Sequence, residues 1–200
     1  MSETIDPCIA TDARQRLIHA AAEAFMKEGY RVSVDRIAAA AGVAKQTLYN
    51  HFSSKEDLFS EVFRHAAMSI LVTLDGTGGD VRERLLSFAA VFSEKVMCPV
   101  GLALFRTMIA EYPRFPELAT AFYAKGPLQT LDGLTDFLRR AMDEGKLRRD
   151  DPRFAAELLM SQLVGLERTR RLLGQPPTPE ALERTRIERT VGCFLRAYAP

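Results

Sequence analysis

Apolar positions recur along this chain with a helical period almost everywhere, and no segment keeps the apolar–polar alternation of a half-buried strand. Leu17, Ile18, Ala21, Ala22 and Phe25 form one stripe. The spacing predicts a first helix that begins near Thr11 or Asp12, either of which can cap it. It closes at Gly29, a residue that accepts the left-handed backbone. Val34, Ile37, Ala38 and Ala41 follow the i, i+3, i+4, i+7 rule and predict a short second helix. Ser33 is its N-cap, and Asp35 in the first turn suits the helix dipole. Gly42 then breaks the pattern, and another short helix follows. Ser53 with Glu56 three residues on predicts a capping box for a fourth helix reaching about Leu71. Leu58, Phe59, Val62 and Phe63 give that helix its apolar face.

Residues 75–80, Asp-Gly-Thr-Gly-Gly-Asp, are the clearest loop. Beyond them the pattern predicts helices over about 81–96, 99–111 and 117–144, the last kinked or split at Pro127, which lacks a backbone donor. Asp151 as N-cap and Pro152 at the first helical position open a helix that closes at Gly174. Thr178 and Pro179 repeat that device for a last helix ending near Tyr198. The stretch from Leu158 to Leu166 is apolar almost all round, and Ala155, Ala156, Ser161 and Gly165 permit close helix approach. Ile187, Val191, Phe194, Leu195 and Tyr198 form one stripe on the final helix. These two helices are expected to pair with the same two of a second copy as a four-helix bundle. Packing inside the chain is the competing reading. The expected fold class is all-α, with a flexible tail over 1–10, a three-helix domain over 11–54 and a larger helical domain over 55–200.

Composition changes this picture little. The 200 residues are 47% hydrophobic with a formal net charge of +1, so total charge points to no partner. No window reaches the roughly 18 apolar residues of a membrane span. The N-terminus has neither the basic start nor the apolar stretch of a signal peptide. Three separated cysteines, Cys8, Cys98 and Cys193, form no Cys-x-x-Cys pair and fit a reducing, cytoplasmic compartment. Cys98 and Cys193 read as packed thiols, and His65 as a packed or half-exposed side chain rather than a protonation switch. His19, His51 and His65 have no partners at metal spacing, so no metal is expected. No Ser/His/Asp set, phosphate loop or paired-carboxylate motif is present, so neither catalytic residues nor cofactors are expected.

Chemistry concentrates on the short third helix. With Leu48 at the origin of a helical wheel, Phe52 lies about 40° away on the same side. Gln46 and Asn50 point opposite, Thr47 and Tyr49 flank them, and Lys45 and His51 border the buried face. Solvent faces usually carry Glu and Lys. Amides and hydroxyls instead suit base edges and phosphate oxygens. Two short helices joined by a glycine turn, the second with such a face, make a helix-turn-helix, whose second helix enters the major groove. Residues 11–55 hold seven Lys/Arg against four Asp/Glu, which concentrates positive charge where DNA would lie.

The run SVDRIAAAAGVAKQTLYNHFSSKEDL, within residues 12–60, resembles the DNA-binding region of TetR-type bacterial regulators. The resemblance implies a ligand-binding C-terminal domain, a homodimer on palindromic operator DNA and release by a small-molecule effector. It implies that Ser33 touches a phosphate at the start of the second helix and that Lys45, Gln46, Thr47, Tyr49 and Asn50 belong to the recognition helix. Gln46, Thr47 and Asn50 fall to base reading, and Tyr49, His51 and Lys55 to phosphates. Ala44 departs from the serine that many members use as a cap, and Arg36 from their usual acid. The stretch GKLRRDDPRFAAELL is similar to AefR-like members. Under this resemblance Phe88, Phe92, Phe105, Met108, Phe122, Tyr123 and Met160 are the candidates to line an effector cavity. The rival expectation is a helical carrier of hydrophobic molecules whose DNA motif is vestigial.

Overall fold

The computed structural model describes residues 7–75 and 80–200, with side chains from residue 13. Residues 76–79 of the predicted loop and the Cys8 side chain lie outside that set. The described residues form α-helices with short 3₁₀ and π turns, and no strand. They divide into two compact units, Met1–His65 with Ala103–Lys125, and Ala66–Leu102 with Gly126–Pro200. The expected division at 54/55 therefore moves. The observed boundary falls inside a helix, and an internal segment joins the N-terminal unit.

The first unit contains α1 (Pro7–Glu28), a 3₁₀ turn (Gly29–Arg31), α2 (Val34–Ala40), α3 (Lys45–His51) and the first part of α4 (Lys55–Leu71). Helix α1 starts at Pro7, not at Thr11 or Asp12. Proline suits a first turn, where its missing N–H would have no partner anyway. Residues 7–10 of the expected tail are thus helical, and the rest of it lies outside the described residues. Gly29 ends α1 with φ +69°. Ser33 Oγ accepts from Arg36 N at 3.2 Å, as an N-cap should. The cap of α4 is displaced by one residue from the predicted box. Ser54 Oγ accepts from Asp57 N at 3.1 Å, and the Asp57 carboxylate accepts from Ser53 N at 3.0 Å. Glu56 is drawn away because it accepts from the Tyr30 hydroxyl at 2.6 Å.

The rest of this unit comes from α6 (Pro99–Glu111) from Ala103 onward, α7 (Pro116–Tyr123) and the two residues after it. Edge-to-face rings bind it to α4: Phe59 to Phe63 at 5.0 Å and Phe63 to Phe122 at 4.5 Å. Phe115 meets Tyr30 at 5.5 Å. Lys125 reaches Asp57 at 3.3 Å and Glu61 at 3.1 Å. Glu61 also holds Arg64 at 2.7 Å and pairs with Arg14. Burial pushes the Glu61 carboxyl up, but Arg64, Arg14 and Lys125 outweigh it and hold the pKa down to about 2. His65 is half-buried with its ring 5.8 Å from that of His19.

The second unit holds α5 (Val81–Met97), α8 (Gln129–Asp143), α9 (Pro152–Leu172) and α10 (Glu180–Ala197). Leu85, Phe88, Leu134, Leu159, Leu163 and Val191 centre its core. The predicted helix over 117–144 resolves into α7, a π turn (Ala124–Leu128) containing Pro127, and α8. Asp151 Oδ1 caps α9, accepting from Arg153 N at 2.9 Å and Phe154 N at 3.3 Å. An unpredicted break sits inside α9 at Gly165, with φ 39° and ψ −144°.

Several expectations for this unit fail. Thr178 does not cap α10: its hydroxyl accepts from Arg170, and Pro179 takes the N-cap position with no side-chain bond. The stripe of the last helix is internal, because Ile187, Val191, Phe194 and Tyr198 are buried in the unit's own core. Helix α9 buries Leu159 and Leu163 but leaves Leu166 80% exposed, so within the chain it is covered on one side only. Cys98 is not buried. Its Sγ accepts from Gly101 N at 3.3 Å, which makes it the N-cap of α6. Cys193 is exposed, beside the Arg196 guanidinium at 3.1 Å. Among the described residues no single helix is long and apolar enough to cross a membrane.

Candidate nucleic-acid interface

The turn between α2 and α3 is closed by main-chain bonds. Gly42 N donates to Ala39 O, and Val43 N to Ala38 O, both at 3.0 Å. Gly42 holds φ +67°, which a side chain would resist. Helix α3 then starts from Ala44, whose extended backbone is right for an N-cap but whose side chain makes no cap bond. The cap that serine would supply, about 1 kcal/mol in typical helices, is absent.

Two side chains fix the roll of α3. Leu48 is 0% exposed and Phe52 1% exposed. With those inward, Lys45, Gln46, Tyr49 and Asn50 are exposed, while Thr47 and His51 are half-buried at the edges. The wheel drawn from the sequence agrees for Gln46, Tyr49, Asn50 and His51, but Lys45, expected at the border, is exposed, and Thr47, expected to face outward, is half-buried. Seven residues are too few for a helix to persist in isolation. Contacts with α1 and α2 supply that stability and fix the orientation of its polar face.

The polar groups on this face already have partners. Gln46 Nε2 donates to Asn50 Oδ1 at 3.1 Å across one helical turn. Lys45 reaches Asp35 on α2 at 3.0 Å, and that hydrogen bond raises its pKa. Arg36 pairs with Glu28 of α1 at 2.9 Å. These are solvent-screened contacts, weak enough to exchange for a stronger anion. Ser33 keeps its hydroxyl proton available while its oxygen caps α2. Lys55 differs from the rest. It is half-buried with its ammonium 4.4 Å from the Tyr30 ring centre, and burial lowers its pKa. The Tyr30–Glu56 bond joins residues 26 apart and Lys55 lies nearly as far from Tyr30 along the chain, so residue spacing gave no sign of either contact.

The seven effector-cavity candidates do not share one compact unit. Phe88, Phe92 and Met160 belong to the second unit, where the first two stack at 5.6 Å within the core and Met160 packs against that core. Phe105, Met108, Phe122 and Tyr123 belong to the first. Of these Met108 is buried, Phe105 and Phe122 face each other at 6.4 Å, and Tyr123 is 54% exposed.

Comparison with known proteins agrees with this geometry. Residues 17–62 match a family model described as bacterial regulatory proteins of the tetR family. Residues 83–200 match the C-terminal domain of AefR-like transcriptional repressors. A solved structure assigned to the TetR family from Mesorhizobium loti superposes with a TM-score of 0.77 at 26% identity, covering 96% of this chain and 98% of that one. The flavonoid-responsive regulator FrrA superposes with a TM-score of 0.70 at 33% identity, covering 94% and 97% of the two chains. The uncharacterized HTH-type transcriptional regulator YezE of Bacillus subtilis (strain 168) is 27% identical over 154 residues, 70% of this chain and 75% of that protein.

Proposed function

The chain belongs to the TetR family of bacterial transcriptional regulators, with an AefR-like C-terminal region, and on that footing we propose that it is a homodimeric repressor released from a palindromic operator by a small molecule. Regulators of this family bind DNA and are not enzymes. The observation that carries the reading is the α3 face: Leu48 and Phe52 are buried while Lys45, Gln46, Tyr49 and Asn50 are exposed. In this reading Gln46, Thr47 and Asn50 meet base edges in the major groove. Ser33, Lys45, Tyr49 and His51 hold the backbone on either side. Lys55 contributes a phosphate contact only if it leaves the Tyr30 ring.

Repression accords with the AefR-like match, and a small, partly apolar effector with the name of the flavonoid-responsive relative. A homodimer accords with the uncovered leucines of α9 and α10 and the turn after α9. Leu166, Leu173 and Leu182 are 80%, 75% and 61% exposed. The effector acts by population shift, stabilising a dimer whose paired α3 helices no longer match successive major grooves. Helix α4 is the connecting element, since its chain belongs to both units. The operator being bacterial, the protein works in the cytoplasm.

The test is selection of bound duplexes from a random DNA pool, then a salt series on the winner. The expected result is one palindrome, bound at nanomolar strength, losing about 10³-fold or more in affinity between low and moderate salt. Failure to enrich any sequence would sink the reading.

A further inference from the structure

We propose that the cleft between α5 and the connection from α9 to α10 binds an organic cation with an aromatic body. All of it lies within the second unit, and its volume is about 900 Å³, enough for a ligand of drug-like size. Leu86, Ala90 and Met97 of α5 form one wall, and Pro177, Pro179 and Ile187 form the other. None of the seven residues expected to line the effector cavity contributes to it.

Ser93 gives the cleft a polar point. It lines the cleft, is 2% exposed, and its hydroxyl has no hydrogen-bond partner among the described residues. Hydroxyls inside a helix ordinarily bond back to a carbonyl one turn earlier. Thr130, Thr135, Thr185 and Thr190 do so here at 2.8–3.0 Å. Ser93 forgoes that bond, so its oxygen is open to a donor that a small rotation of the side chain would meet. A buried hydroxyl without a partner is costly, and a ligand N–H would relieve it.

Charge selects the sign of the ligand. Arg171 of the wall is held by Glu167 at 2.7 Å, and Glu183 by Arg186 at 2.6 Å. Glu94, Glu180 and Glu188 have no ion pair among the described residues, against the single guanidinium of Arg184. The wall is therefore negative overall. An apolar body with N–H donors and positive charge matches it, and an anion of the same shape does not.

The test uses the full chain without DNA, so it is independent of operator binding and of the repressor reading. The probes are 2-naphthamidine and its isosteric anion 2-naphthoate, followed by isothermal titration calorimetry. The cation should bind about tenfold tighter or better. Joint Glu94→Gln and Glu188→Gln exchange should erase the preference, and Ser93→Ala should weaken the cation severalfold. Ala90→Trp should fill the cleft and abolish binding. Should that variant fail to fold, the exposed Glu94→Gln and Glu188→Gln pair decides alone. Equal binding of cation and anion overturns the proposal, as does unchanged binding by the variants. A change in oligomeric mass on Ala90→Trp with naphthamidine binding intact also overturns it, since a second copy would then cover the cleft.

Discussion

Gln46 and Asn50 hold each other across one turn of α3, and in the proposed complex DNA exchanges that bond for base edges. Either residue replaced by alanine should lose about 1–3 kcal/mol of discrimination at one base-pair position, read as operator affinity against single-base variants. Lys45→Ala should act differently, weakening binding on every sequence and flattening the salt slope by about 1. Glu61 is a residue on which pH acts directly. Its folded pKa of about 2 lies below the ordinary value of 4.5. Its stabilisation is thus complete above pH 4.5 and is lost as pH falls from there toward 2. Glu61→Gln should cost about 3 kcal/mol at pH 7, leaving Arg14 and Arg64 without their carboxylate and Lys125 with Asp57 alone, and far less near pH 2. Urea unfolding at several pH values measures this, and a pH-independent cost would contradict it.

At the scale of elements, helix positions were legible because their determinants lie within four residues of one another. Ser33, Gly29, Asp151 and the break at Pro127 are of this kind. The shift of the α4 cap from Ser53 to Ser54 was not, because it follows from Tyr30 taking Glu56. The break at Gly165 was not legible either, for a different reason. A glycine on an apolar helix reads as a small packing residue, and periodicity carries no dihedral information. Its φ of 39° with ψ −144° is open essentially to glycine alone. Gly165→Ala should destabilise the chain by about 1–3 kcal/mol in thermal or denaturant unfolding, although a Cβ there would touch nothing within 4 Å. A neutral or stabilising result would mean that α9 simply straightens.

At the scale of the molecule, the last two helices divide their apolar surface. The α10 stripe that read as a partner surface is consumed by the chain's own core, because a helix with apolar residues on two sides does not show in sequence which side meets which neighbour. What is left uncovered for a second copy is Leu166 on α9 with Leu173 and Leu182 beyond it. Leu166→Glu should shift the protein toward monomer in light scattering, with helical content kept. It should also weaken operator binding, since two half-sites need two recognition helices. Retention of the parent mass would place the contact elsewhere.

The sequence by itself determined the all-helical class, the glycine turn, and the buried anchors of α3 with Gln46, Tyr49 and Asn50 opposite them. A 3.6-residue period and two buried anchors suffice to orient a helix seven residues long. Only the tertiary structure decided that residues 103–125 join the DNA-reading unit through Phe115, Phe122 and Lys125. It alone placed Lys55 over Tyr30 and left the Ser93 hydroxyl unpartnered beside a cleft. The reason is separation along the chain. Lys125 meets a carboxylate 64 residues earlier, and no local pattern of apolar and polar positions specifies which distant side chain will arrive.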